Sequence, residues 1–269
     1  MAYFICVTCG TQFADADLPP GRCPICDEVR QYVNPRGQTW TTMRELRGDH
    51  RNVLTAEEPH LTGIRTEPGF AIGQRALLVQ TADGNVLWDC VSLFDDETER
   101  AVRALGGVAA IAISHPHYYS SMAEWSRTFG DAPVYVHAAD REWVMRSGSS
   151  LVLWEGDTHP LPGGLTLIRC GGHFSGAAAL HWPDGAGGRG ALLTGDTLQV
   201  VPDRQHVSFM YSYPNLIPLD GGAVRRIADA LRGFRFDRVY GAFAGRVISS
   251  DGAAAVRRSV DRYLRAIQG

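Results

Sequence analysis

Two groups of side chains in this 269-residue sequence have the types and spacing to hold a metal ion. Cys6 and Cys9 stand in CVTCG, Cys23 and Cys26 in CPIC, and the turn formers Pro19, Pro20 and Gly21 lie between the two pairs. Two thiolates on a C-x-x-C knuckle bind one ion, and two knuckles complete the tetrahedral four-sulfur shell that Zn2+ favours, with sulfurs about 2.3 Å from the metal. Iron accepts the same ligand set, so the spacing leaves Zn2+ or Fe open. A pair of disulfides would need an oxidising compartment. Four sulfurs leave no position for a reactant, which makes this first site structural. The second group begins in SHPHYY with His115 and His117, directly after the apolar run GVAAIAI. His173 in CGGHFSG and Asp196 in LLTGDTL each follow another apolar stretch, and Asp89 closes a further one in VLWDC.

Three imidazoles around Zn2+ leave a position for water, whose pKa falls to about 7 there, so hydroxide forms at neutral pH and hydrolysis is the expected chemistry. Asp196 would ligate the ion or take the proton of that water, and the hydroxyl of Tyr118 or Tyr119 would donate to a developing oxyanion. Alternation along an extended chain places His115 and His117 on the same side. Asp89 suits the orientation of a histidine from behind. His206 in a long loop and His137 in YVHAAD are candidates to complete the shell, whereas His50, His60, His159 and His181 have no such spacing. Cys90 and Cys170 are isolated in apolar stretches and read as buried, inert thiols. FMYSYPNLIP has the composition of a substrate mouth or of a packed surface loop.

These positions need elements to carry them. From about residue 60 the pattern is rich in strands, with RALLVQT and NVLWDCV flanking the hairpin signal Ala82-Asp83-Gly84. Asp95 or Asp96 can cap a helix through DDETERAVRALGG, and the strand GVAAIAIS follows its glycines. A second helix carries Met122, Trp125 and Phe129 on one side, APVYVHA is the next strand, and ADREWVMRS reads as a short helix. LTLIRCGG, GAAALHW and GALLTGD are strands, GAVRRIADALRG an amphipathic helix, FDRVYGAF a strand and AAAVRRSVDRYLRA the closing helix. This order predicts an α/β (α+β) chain with two sheets inside and helices outside, an αββα layering. The boundaries expected are a four-cysteine module over 1–40, closed by the turn Asn34-Pro35-Arg36-Gly37, and a second domain over 41–269.

With the motifs in order, the region from about 60 to 250 resembles the metallo-beta-lactamase fold superfamily: Asp89 after an early strand, the H-x-H pair His115 and His117, the G-H turn at His173 and the G-D turn at Asp196. The N-terminal module resembles a zinc ribbon or a rubredoxin-like knuckle. Where the family's H-x-H-x-D-H has its second-metal aspartate and histidine, this chain has Tyr119 and Ser120, and GAFAG after the last strand offers no histidine. The resemblance therefore implies one ion at His115, His117, His173 and Asp196, and a mononuclear metal-dependent hydrolase of an ester, thioester or lactone. It also implies an alternative, an iron dioxygenase using His115, His173 and Asp196 as a two-histidine, one-carboxylate triad. A degenerate site, with the chain acting as a binding module, is the third reading.

The composition narrows the partners. Every one of the 26 basic residues is arginine, so lysine nucleophiles and Schiff bases are excluded. The bias towards arginine, alanine and glycine fits a GC-rich bacterial genome. A net charge of -3 makes no general attraction to nucleic acid or anionic membrane, and Asp15, Asp17, Asp27 and Glu28 make the four-cysteine module acidic. No apolar run reaches the roughly 18 residues of a membrane span, and MAYFICVTCG lacks a basic start and an apolar signal core. A cytoplasmic protein acting on a small molecule is the expectation.

Overall fold

Apolar runs too short to cross a membrane but long enough to cross a domain form the strands of two facing sheets. The structure is a computed structural model that describes residues 1–148 and 150–267; position 269, the expected end of the second domain, lies outside them. At the N-terminus β1 (Ala2–Cys6) pairs antiparallel with β2 (Gln12–Ala16) and with β3 (Trp40–Thr42). The helix Met43–Asp49 follows, its Thr42 cap and Glu45 forming a reciprocal capping box.

The first large sheet holds β4 (Arg51–Glu58), β5 (Leu61–Glu67), β6 (Arg75–Val79), β7 (Val86–Trp88), β8 (Ala110–Ala112), β9 (Val134–His137) and β10 (Leu151–Trp154), in sequential order across the sheet. β4 to β7 form an antiparallel meander, and β7 to β10 run parallel, joined by helices. β4 begins before the strand-rich pattern expected from residue 60. Its sequence RNVLTAEE carries few apolar residues because neither face of it is fully buried. The helix Asp96–Ala104 is capped by Asp95, whose side chain accepts from Thr98 N, and Met122–Thr128 is the next helix. The short helix expected in ADREWVMRS is a 3-10 segment, Ala138–Trp143, with non-helical dihedrals at Asp140.

The second sheet has the order β11 (Thr158–Pro160), β12 (Thr166–Arg169), β13 (Ala178–Trp182), β14 (Ala191–Leu193). The chain then leaves it for two small ribbons, β15 (Gln199–Val200) with β16 (Val207–Ser208), and β17 (Met210–Ser212) with β18 (Ile217–Pro218). It returns as β19 (Arg238–Tyr240), parallel to β14, and β20 (Val247–Ile248). The helices Gly221–Leu231 and Gly252–Ile267 pack on the outer face of this sheet.

Three apolar layers give the αββα sandwich expected from the sequence. Leu77, Trp88 and Ala112 of the first sheet meet Leu167, Leu180 and Leu193 of the second in the central layer. Ile111, Met122 and Trp125 pack outside the first sheet, and Leu192, Ile227 and Val256 outside the second. The alternation of side chains along each strand feeds both layers at once. Removing a fully buried aromatic such as Trp88 would cost about 3 to 5 kcal/mol, a large part of the stability of a domain. No described helix is long and apolar enough to cross a membrane.

Candidate metal centre

The four cysteines of the N-terminal module are buried, free and turned toward one another. Cys6 Sγ lies 3.5 Å from Cys26 Sγ, and Cys9 Sγ 3.7 Å from Cys23 Sγ. A disulfide needs about 2.05 Å, while tetrahedral Zn–S bonds of about 2.3 Å set sulfurs roughly 3.8 Å apart. The donor set therefore fits one ion. Hydrogen bonds from its neighbours, Cys23 first, push the Cys6 thiol down, and the corresponding contacts push Cys9 and Cys26 up. Four sulfurs this close cannot all ionise unless a cation compensates them. The Gln38 amide donates to Cys6 Sγ at 3.1 Å.

The second group forms where the two sheets end together. β8 stops at Ala112, His115 is extended, and Pro116–Tyr118 is a single 3-10 turn. The pairing of His115 and His117 is thus made by this turn and not by strand alternation, and the two rings present different nitrogens. Ser114 supplies the reason at His115. Its hydroxyl donates to Asp89 Oδ1 at 2.8 Å, having one proton to give, and its oxygen lies 2.8 Å from His115 Nδ1. Nδ1 must then carry the hydrogen, leaving the Nε2 lone pair to face the site. His173 Nδ1 donates to the Met210 carbonyl at 3.1 Å, which likewise frees Nε2. His117 Nδ1 lies 3.3 Å from that Nε2. Two lone pairs at this separation repel, but it is the edge of a tetrahedron around an ion with bonds of about 2.0 to 2.1 Å.

His115, His117, His173 and Asp196 each offer an atom within 4.8 Å of the others. Asp196 Oδ2 is 3.7 Å from His115 Nε2, while Asp196 Oδ1 and His115 Nε2 are buried without hydrogen-bond partners. Burial holds all three imidazoles below their usual pKa, His173 down to about 4, so they are neutral ligands at pH 7. Burial raises Asp196 to about 7 against the pull of the nearby Tyr118 hydroxyl, and Asp89 to about 8 against its hydrogen bonds from Ser114. A cation would favour the ionised form of both carboxylates. Orphaned acceptors, neutral imidazoles and converging lone pairs fit a metal. Gly195 makes the approach possible: it has φ +51, and a Cβ there would stand 2.4 Å from Ser114 Oγ.

Other candidates lie elsewhere. The Tyr119 hydroxyl, expected as an oxyanion donor, instead donates to the Asp140 carbonyl at 3.2 Å, because the 3-10 turn directs Tyr118 and Tyr119 differently. Tyr118 packs edge-on against His115 with ring centroids 4.4 Å apart, and its buried hydroxyl completes no hydrogen bond. His137 is occupied by Ala139 N and Gly156 O, and His206 pairs with Asp203, so neither joins the cluster. Ser120, which stands where the family pattern has its second-metal histidine, donates to the Cys90 carbonyl and accepts from Gln74. Among the described residues, the four cysteines and the His115 cluster are the groups that could hold an ion.

A cavity of about 520 Å³ opens onto His117, His173 and Asp196. Tyr213, Pro214 and Leu216 of FMYSYPNLIP line it, and so do Thr8 and Gln31 of the four-cysteine module. Sequence reasoning missed Ser114, Thr8 and Gln31 because a serine, a threonine or a glutamine alone has no diagnostic spacing. Arg30 was also missed; its guanidinium lies 4.0 Å from the Phe174 ring centroid and donates to the His173 carbonyl at 3.2 Å.

No family model matches the chain. Its fold is that of solved metallo-beta-lactamases: DIM-1 metallo-beta-lactamase aligns with a TM-score of 0.60 and 13% identity over 81% of this chain and 99% of that one. A Cronobacter sakazakii metallo-beta-lactamase with a HARLDQ motif aligns with a TM-score of 0.53 and 18% identity over 83% and 96%. In sequence, the uncharacterized protein YmaE of Bacillus subtilis (strain 168) is 49% identical, covering 99% of this chain and 97% of that protein. An αββα sandwich of metallo-beta-lactamase type, with this degree of identity along the whole chain, means that the protein belongs to the family of YmaE.

Proposed function

We propose that the chain is a mononuclear metal-dependent hydrolase of an ester, thioester or lactone of a small molecule. One observation carries this reading: three neutral imidazoles and a carboxylate converge within 4.8 Å at the wall of a cavity large enough for a small molecule. Bound there, a divalent cation, Zn2+ or Fe, would supply Lewis acidity toward a carbonyl and acidify a water molecule. His115, His117, His173 and one oxygen of Asp196 would hold it. Asp196 Oδ1, buried and unpartnered, is placed to accept the proton of the attacking water, and the free Tyr118 hydroxyl to donate to the developing oxyanion. The water oxygen joins the acyl carbon, the alcohol or thiol departs, and the Asp196 proton returns to it. The four-cysteine module over 1–40 would have a structural ion of its own, beside a catalytic domain over 41–269.

Metal content per chain, measured by mass spectrometry on the wild type and on the His115→Ala/His173→Ala variant, tests this. Two ions falling to one are expected, with zinc in the lost position favouring hydrolysis. Iron there would turn the reading to oxygen chemistry. An unchanged single ion would overturn the catalytic reading in favour of a binding module.

A further inference from the structure

Arg30, just after the second cysteine pair, reaches from the four-cysteine module to the parts that hold the histidines. Its side chain is 16% exposed, and its Nε stands 2.9 Å from Glu28 Oε2. Nη1 donates to the His173 carbonyl at 3.2 Å. The guanidinium lies 4.0 Å from the centroid of the Phe174 ring and 5.0 Å from that of Tyr211. The Arg30 carbonyl accepts from the Ser212 hydroxyl at 3.0 Å, and Asn215 Nδ2 fastens the flanking residues, donating to Val29 O at 2.8 Å and Gln31 O at 3.0 Å.

Each of these partners bears on the cluster. Phe174 is buried, and its ring centroid lies 5.7, 4.9 and 5.2 Å from those of His115, His117 and His173. Tyr211 and Ser212 belong to β17, whose Met210 carbonyl accepts from His173 Nδ1. That bond keeps the hydrogen on Nδ1 and the lone pair on Nε2; the other tautomer would turn an N–H toward the site. One residue thus touches the backbone of His173, the ring packed against all three imidazoles, and the ribbon that fixes the His173 tautomer. A planar guanidinium suits this place, since it donates at its edge while its face lies on aromatic rings, and the compact ammonium of lysine does not match that geometry. Charge alone would work the other way. After burial, the Arg30 charge is among the causes that hold the imidazoles below their usual pKa, and it would repel an ion. Glu28 offsets that charge.

We propose that Arg30 is a positioning residue for His173 and Phe174, supplied by the four-cysteine module, and that through it the module sets how tightly the histidine cluster retains an ion. Retention rests on the reading above that the cluster binds a metal; the orientation of His173 does not. Partners that orient a ligand from behind typically contribute about 10- to 100-fold in metal affinity.

The test takes the full chain with its histidine site emptied by a chelator, as the wild type, Arg30→Met and Arg30→Lys. The lysine variant keeps the charge and the alkyl stem, and so the fold. Nitrogen-15 NMR of the imidazoles reads the tautomer before any ion is added. Titration with Co2+, followed by the visible absorption of the nitrogen- and oxygen-ligated ion, reads the affinity. The wild type should have the His173 hydrogen on Nδ1 alone, whereas both variants should mix the two tautomers and bind Co2+ weaker by roughly tenfold or more. A lowered thermal midpoint with tautomer and affinity unchanged would make Arg30 structural only and overturn the inference. Arg30→Lys matching the wild type would overturn it too, in favour of charge. Mixed tautomers in both variants, with no Co2+ held at the histidines of the wild type, would uphold Arg30 as the residue that orients His173 and sink the metal-binding reading.

Discussion

At the level of single residues, the site is decided by which nitrogen each imidazole presents. His115 and His117 are two positions apart, yet one turns Nε2 and the other Nδ1 toward the common centre, and Ser114 sets the first of these through Asp89. Such outer partners typically contribute 10- to 100-fold to metal affinity. Ser114→Ala should therefore weaken metal retention at the histidine cluster by at least tenfold while sparing the ion of the four cysteines, which competition with a chelator would show. Equal retention in the variant would mean that packing alone orients His115. Asp89, His115, His117, His173 and Asp196 could be picked out from sequence because each follows an apolar stretch. Ser114 could not, and the sequence offered Tyr118 and Tyr119 alike as donors without choosing between them, since these roles depend on how a turn of three residues directs the side chains.

Elements meet at the site through their loops, and Asp140 joins two of them. It lies in the 3-10 segment after β9 and accepts from Gly176 N at 2.8 Å, tying the first sheet to the turn that carries His173. Burial raises its carboxyl to about 6, against the pull of that hydrogen bond and of Arg30 and Arg169. The unfolded value is near 3.9, so between about pH 4 and 6 the folded chain keeps a proton that the unfolded chain loses. Stability falls as pH rises through that window. Asp140→Asn keeps an acceptor for Gly176 and removes the titration. It should match the wild type near pH 4, exceed it by about 2 kcal/mol near pH 7, and have a flatter profile in urea denaturation. A variant less stable than the wild type at both pH values would show that the ionised carboxylate is needed by Arg30 or Arg169. Most element positions were legible from periodicity and caps. β4 was not, because a strand with two half-exposed faces carries little apolar signal.

Across the whole molecule, the four-cysteine module is a wall of the larger domain's cavity as well as a small unit whose cysteines could hold an ion. Its core of Ile25, Phe13 and the four cysteines packs on Ile72, Trp143 and Met145. A segment this short would draw folding free energy from an ion held by its cysteines. The double substitution Cys23→Ser/Cys26→Ser should reduce the metal content by one ion. Hydrogen exchange should then show lost protection over 1–42 and also over 210–216, the ribbon that Asn215 and Ser212 fasten to the module. Protection retained in both segments would mean that packing on the domain suffices without the ion.

Local spacing was enough to mark the two groups of candidate ligands and the order of most strands and helices. Each is written in a short stretch of chain: C-x-x-C knuckles, H-x-H after an apolar run, glycine before histidine or aspartate at a strand end. It took the folded chain to show that Tyr119 turns away to Asp140, that Ser114 links Asp89 to His115, and that Gln31 of the module lines the cavity over the histidines. Those outcomes depend on contacts between residues far apart in the chain, such as Gln31 with Asn215, and on the directions of buried side chains. Periodicity says which face of an element is apolar, but not which other face it will meet.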